Sequence, residues 1–237
     1  MLFRSVFPDG AATRLSYGIL NLTHRDGDEA PAALEPGKRY RVRLQLNDIG
    51  HRFGAGNRIR LAISNAYWPI VWPSPGTNTL TIHCGESRLL LPERKPRSID
   101  KTLKPLPGPE ASPELAHTVL RPGHNSWTTR HDVFSNGHVL TRVNDTGLIR
   151  LDGIGLTYAV KAEHKFTISP DEPACASLDL RTHREYGRAG WHIASETTIR
   201  QTATATHFRI QARLDAFENG ARVFSRRWDE EIPRDLV

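Results

Sequence analysis

Two cysteines and one methionine are all the sulfur this chain of 237 residues carries. Cys84 and Cys175 are too distant in sequence for a disulfide scaffold or a compact Cys-based zinc site. A reduced, cytoplasmic chain is therefore expected. No window approaches the 18 or so uninterrupted apolar residues of a membrane-spanning helix. The opening Met1-Leu2-Phe3-Arg4-Ser5 lacks the apolar core of a signal peptide, because Pro8-Asp9-Gly10 cuts it short. Helical periodicity is nearly absent as well. What remains is ordinary for a folded protein, 38% hydrophobic and 24% charged with 18 Gly and 16 Pro, which argues against wholesale disorder.

Catalytic signatures are equally scarce. The nucleophile elbow G-x-S-x-G has no match: Ser16 and Ser74 have only the downstream glycine, Ser87 only the upstream one. There is no G-x-x-x-x-G-K phosphate loop, no H-E-x-x-H zinc helix and no βαβ alternation to build a nucleotide site. No catalytic residue, metal ligand set or cofactor is expected. Eleven histidines are present, and His131-Asp132 faces His138 across the Asn136-Gly137 turn. Two such ligands could hold a divalent ion, but no third or fourth is identifiable, and a hydrogen-bonded or solvent-facing pair is the plainer reading.

The net charge of +6 falls entirely within residues 1–97, while 98–237 are balanced. The arginines of the first part alternate with apolar residues, as in Arg39-Tyr40-Arg41-Val42-Arg43-Leu44. That pattern describes a solvated or domain-facing sheet surface, not the aromatic-studded basic patch that binds nucleic acid. Neither nucleic acid nor membrane is an expected partner.

Period two dominates the chain. Tyr40, Val42, Leu44 and Leu46 point one way, Ile59, Leu61 and Ile63 repeat the pattern, and Leu80, Ile82 and Cys84 form a third run with Cys84 as a small buried side chain. Later, Phe208, Ile210, Ala212, Leu214 and Ala216 alternate with Arg209, Gln211, Arg213 and Asp215. Asp9-Gly10, Asn136-Gly137 and Asn219-Gly220 are hairpin signals. The expectation is an all-β fold of antiparallel sheets, a sandwich. Seven prolines between Pro92 and Pro122 mark a linker, with Ser112-Pro113-Glu114 as a candidate helical turn. The predicted division is a first β unit over 1–97, a Pro-rich linker over 98–119 and a second β unit over 120–237.

One local feature stands out. Residues 65–76 carry Tyr67, Trp68, Pro69, Trp72, Pro73 and Pro75, a stiff apolar loop that must lie against something: its own core, another domain, or a sugar or ring-shaped ligand. Tyr67, Trp68, Pro69 and Trp72 are the candidate ligand- or domain-interface residues.

This loop and its flanks carry a resemblance. Gly18-Ile19-Leu20-Asn21-Leu22-Thr23-His24-Arg25, Leu34-Glu35-Pro36-Gly37-Lys38-Arg39-Tyr40, Gly56-Asn57-Arg58-Ile59-Arg60-Leu61-Ala62-Ile63-Ser64 and Trp68-Pro69 are similar to the C-terminal domain of Xaa-Pro dipeptidyl-peptidases and cocaine-esterase-like hydrolases. The likeness covers about residues 3–97. Residues 120–237, ending Ile232-Pro233-Arg234-Asp235-Leu236-Val237, resemble the extra C-terminal β region of one branch of that family. The resemblance implies an N-terminally truncated jelly roll and a non-catalytic accessory role. It also implies packing on an α/β-hydrolase domain whose Ser-His-Asp triad has no counterpart here. A sandwich short of strands would expose an edge open to homo-oligomer formation. The competing expectations are a free-standing binding module for carbohydrate or aromatic ligands, and an inactive gene fragment.

Overall fold

The computed structural model describes residues 1–237. Its eleven strands pair antiparallel throughout, with only two 3₁₀ turns, Leu22–His24 and Ser98–Lys101. No helix is long and apolar enough to cross a membrane. The all-β expectation is borne out.

The strands form two sheets. In the small one, β1 (Leu2–Val6) lies between β2 (Ala12–Tyr17) and β3 (Arg58–Ala62). The β1–β2 turn uses Gly10 at φ +91°, a conformation that glycine adopts without penalty. Phe3 and Val6 are buried there, and Phe3 meets Phe53 edge-on at 6.0 Å. Buried Ser5 and Ser16 are satisfied by the Asn57 side chain and the Asn47 carbonyl.

The large sheet is a meander. It runs from β6 (Gly137–Leu151) through β7 (Leu156–Ser169), β8 (Glu172–Arg188), β9 (Trp191–Ala203) and β10 (His207–Glu218) to β11 (Ala221–Pro233). β4 (His117–Arg121) and β5 (His124–Asp132) share the outer side of β6, as one edge strand interrupted at Pro122-Gly123. The 17 residues of β8 span roughly 55 Å. The Asn219-Gly220 hairpin is confirmed, with φ +48° and +83°. The β8–β9 turn places Ala189 at φ +38° before Gly190, a turn without the usual Asn-Gly signature.

Three local expectations fail. Residues 40–46 and 80–83 belong to neither sheet, and Cys84 opens a turn. Alternation makes a strand only where a neighbour supplies ladder hydrogen bonds, and neither run has one. Cys84 is consequently exposed, because an unpaired run has no buried face. Ser112-Pro113-Glu114 forms no helical turn; three residues cannot repay the cost of a helical nucleus without packing.

Register gives the large sheet two unlike faces. Leu140, Phe166 and Leu178 sit opposite one another on one face, as do Leu180, Ile199, Ala212 and Trp228. The other face carries rows such as Asp179, Arg200, Gln211 and Asp229. No strand of the small sheet hydrogen-bonds to a strand of the large one, and Leu140, Phe166, Leu178, Leu180 and Ile199 on the apolar face are only half-buried.

Candidate interface

The aromatic loop joins the two sheets. Trp68 and Trp72 meet edge-to-face at 5.1 Å. Trp68 is edge-on to Phe166 of β7 at 6.0 Å, and Trp72 edge-on to Phe208 of β10 at 5.8 Å. Such T-shaped pairs are the favoured geometry for aromatic quadrupoles. The prolines make this rigid placement cheap, since they remove freedom from the unfolded loop. Tyr67 points back to the small sheet, where its hydroxyl accepts from Arg14 at 2.8 Å. Pro69 is half-buried beside Ile70, which is 64% exposed and is the outward tip of the loop.

Arg234 completes the junction. It is 3% exposed, and its guanidinium donates to the carbonyls of Pro73 at 2.7 Å, Val237 at 2.8 Å and Thr204 at 3.3 Å. Its Cζ lies 4.7 Å from the centroid of Phe208. Burial pushes its pKa below the usual arginine value. Beyond it the tail docks at the 3₁₀ turn Leu22–His24: the Leu236 carbonyl accepts from Asn21 Nδ2 at 3.0 Å and Thr23 Oγ1 at 2.7 Å. Phe166, Phe208 and Arg234 had no signal in the sequence, because their importance comes from partners more than 90 residues away.

A second built corner lies where β4 gives way to β5. Asp145 is 7% exposed and accepts both Nη atoms of Arg121, at 2.8 and 3.0 Å, and the Gly147 amide at 2.8 Å. The Arg121 hydrogen bonds hold its carboxyl below the ordinary aspartate pKa against the opposing effect of burial.

Part of the charged face is internally paired. Arg213 lies 2.6 Å from Asp215, Arg209 2.8 Å from Asp229, and Arg200 3.4 Å from Asp179. A shallow depression of about 590 Å³ on β8–β11 is lined by these alternating charges. His131 and His138 stack at 4.3 Å with 9° between rings, and His131 Nε2 contacts Asn136 Oδ1 at 3.0 Å. His183 and His192 flank Glu185 at 3.6 and 3.4 Å. No group of three or more His, Cys, Asp or Glu side chains is placed to hold a metal ion.

The arrangement is an intramolecular junction of loop, tail and large sheet, built of aromatic edges and an arginine bound to backbone oxygens, with no nucleophile–base pair in it. A search of curated proteins and a search of solved structures each found no match. A family model described as the X-Pro dipeptidyl-peptidase C-terminal non-catalytic domain matches residues 2–127, more than half of the chain, and ends inside β5. The chain therefore belongs to the family of X-Pro dipeptidyl-peptidase C-terminal non-catalytic domains.

Proposed function

We propose that this chain is the accessory scaffold of a serine hydrolase, laid against an α/β-hydrolase domain that supplies the Ser-His-Asp triad. The bond cleaved would be an ester, an amide or an Xaa-Pro peptide bond. The observation that carries this reading is surface area. The chain exposes 18115 Å², whereas a compact monomer of 26.6 kDa exposes roughly 11,000 Å². Only 13 of 237 residues are buried, and 30 large apolar side chains are exposed. The excess is several times a standard protein–protein interface of about 1,200–2,000 Å².

The apolar face of the large sheet, with Leu180, Ile199 and Leu214 half-buried, is the surface we assign to that partner. Tyr67, Trp68, Pro69 and Trp72 hold the loop so that Ile70 extends the same surface. Two exposed free cysteines fit a reducing, cytoplasmic setting. A glycan-binding module is the weaker alternative, since Trp68 and Trp72 already use their rings on each other, Phe166 and Phe208.

The test mixes the full chain with a triad-bearing α/β-hydrolase polypeptide of this family that lacks its own C-terminal domain. A one-to-one complex with gain of ester or Xaa-Pro hydrolysis is expected. Absence of both complex and turnover would remove the proposal.

A further inference from the structure

The free edge of the large sheet is written in a self-complementary code. β11 pairs with β10 and with no other strand, so one side of its backbone is open, and every residue of it except Trp228 is exposed. Open edges are usually blunted by shortness, bulges, proline or charged side chains. The opposite edge is blunted in that way, being broken at Pro122-Gly123 between β4 and β5. β11 is instead 13 residues long, and its charges reverse sign about one residue: Arg226 and Arg227 precede Trp228, and Asp229, Glu230 and Glu231 follow it.

Two copies of an edge strand can pair antiparallel about a two-fold axis perpendicular to the sheet. The pleat then demands that facing residues lie on the same side, so a residue must sit on the axis and face its own copy. With Trp228 on the axis, Arg226 faces Glu230, Arg227 faces Asp229, Ser225 faces Glu231 and Phe224 faces Ile232. Between Val223 and Pro233 every charged residue in that register meets an opposite charge or a neutral partner. Moving the axis to Arg227 or Asp229 sets like charges against themselves, and moving it to Glu230 adds Asp229 against Glu231.

The side chains are available for this. Arg226, Arg227, Glu230 and Glu231 take part in no ion pair within the chain; Arg226 lies over the Trp228 ring at 4.9 Å. Asp229 is shared with Arg209 of the same copy. Phe224 and Ile232 are 48% and 46% exposed and lie on the apolar face, so their pairing continues that face across the axis. Pro233, which cannot donate to a ladder, ends the paired window opposite Val223.

We propose that a second copy of this chain pairs with β11 through Val223–Pro233, with Trp228 on the two-fold axis, making one continuous sheet across an isologous dimer. This goes beyond the accessory role and is read on the chain alone, so its failure and that of the hydrolase partnership are distinguishable.

Sedimentation velocity of the full chain should give twice the 26.6 kDa monomer at micromolar concentration. R226E puts Glu against Glu twice per dimer and should weaken association about tenfold or more. E230R should do the same, and R226E/E230R should restore the dimer. Circular dichroism checks that each variant retains its strands. In a C84S/C175S background, W228C should cross-link two chains under mild oxidation, because directly facing Cα atoms lie within disulfide reach of about 4.5–5.5 Å; R222C should not. A monomeric wild type that fails to cross-link through position 228 overturns the proposal. So does a dimer that R226E leaves intact, which would have to form through another surface.

Discussion

Alanine in place of Gly147 should lower the unfolding free energy by about 3 kcal/mol or more, read as a fall in the urea midpoint. Gly147 holds φ +76°, and a Cβ there would lie 2.2 Å from the Arg121 carbonyl oxygen, 2.7 Å from the Gly123 nitrogen and 2.8 Å from the Pro122 carbonyl carbon. All three are backbone atoms, so no rotamer change relieves the clash. Gly147 lies in β6 at a register shift between Asp145 and Leu148, opposite the break between β4 and β5, and bulges of this kind re-aim a strand. Pushing Arg121 away would also break its bidentate pair with Asp145 and leave a nearly buried carboxylate short of partners. Gly153 is the internal control: nothing lies within 4 Å of a Cβ there, so Gly153→Ala should change stability by less than about 0.5 kcal/mol. Equal midpoints for Gly147→Ala and Gly153→Ala would show that the corner is not constrained as described.

The second large effect is expected at Arg234. Arg234→Ala should cost about 2–4 kcal/mol, because it strands three carbonyls and uncovers Phe208. Arg234→Lys should recover little, since one ammonium cannot reach Pro73, Thr204 and Val237 in the divergent directions of a guanidinium. Trp72 reaches the same Phe208 ring. Trp72→Ala and Arg234→Ala should therefore be non-additive, with a double-mutant coupling of about 0.5–3 kcal/mol. The accompanying signature is faster proteolysis in the loop 65–76 and the tail 234–237. Simple additivity with no change in cleavage would mean that loop and tail do not form one junction.

Much of the fold was legible where local pattern and long-range pairing agree. The Phe208–Ala216 alternation became β10, and Asn219-Gly220 became its hairpin, because both signals are set within a few residues. The runs 40–46 and 80–84 carry the same alternation but stand outside both sheets, since a ladder needs a neighbour that local sequence does not specify. Ala189 turned a hairpin at φ +38° without announcing itself, the flanking strands imposing what propensity would not. The same division holds for the interface. Trp68 and Trp72 were visible as residues needing a contact. Phe166, Phe208 and Arg234, which provide it, lie at sequence distances over which nothing in the pattern couples them.

The scaffold reading rests on surface left open to a partner, including a broad apolar sheet face that is only half-buried, and oxidative side-chain footprinting tests that property directly. When a triad-bearing α/β-hydrolase polypeptide is added to the full chain, Leu180, Ile199 and Leu214 should lose reactivity while Lys165 and Arg181 on the reverse face keep theirs. Unchanged labelling of the apolar rows, or protection confined to the charged side, would contradict the account.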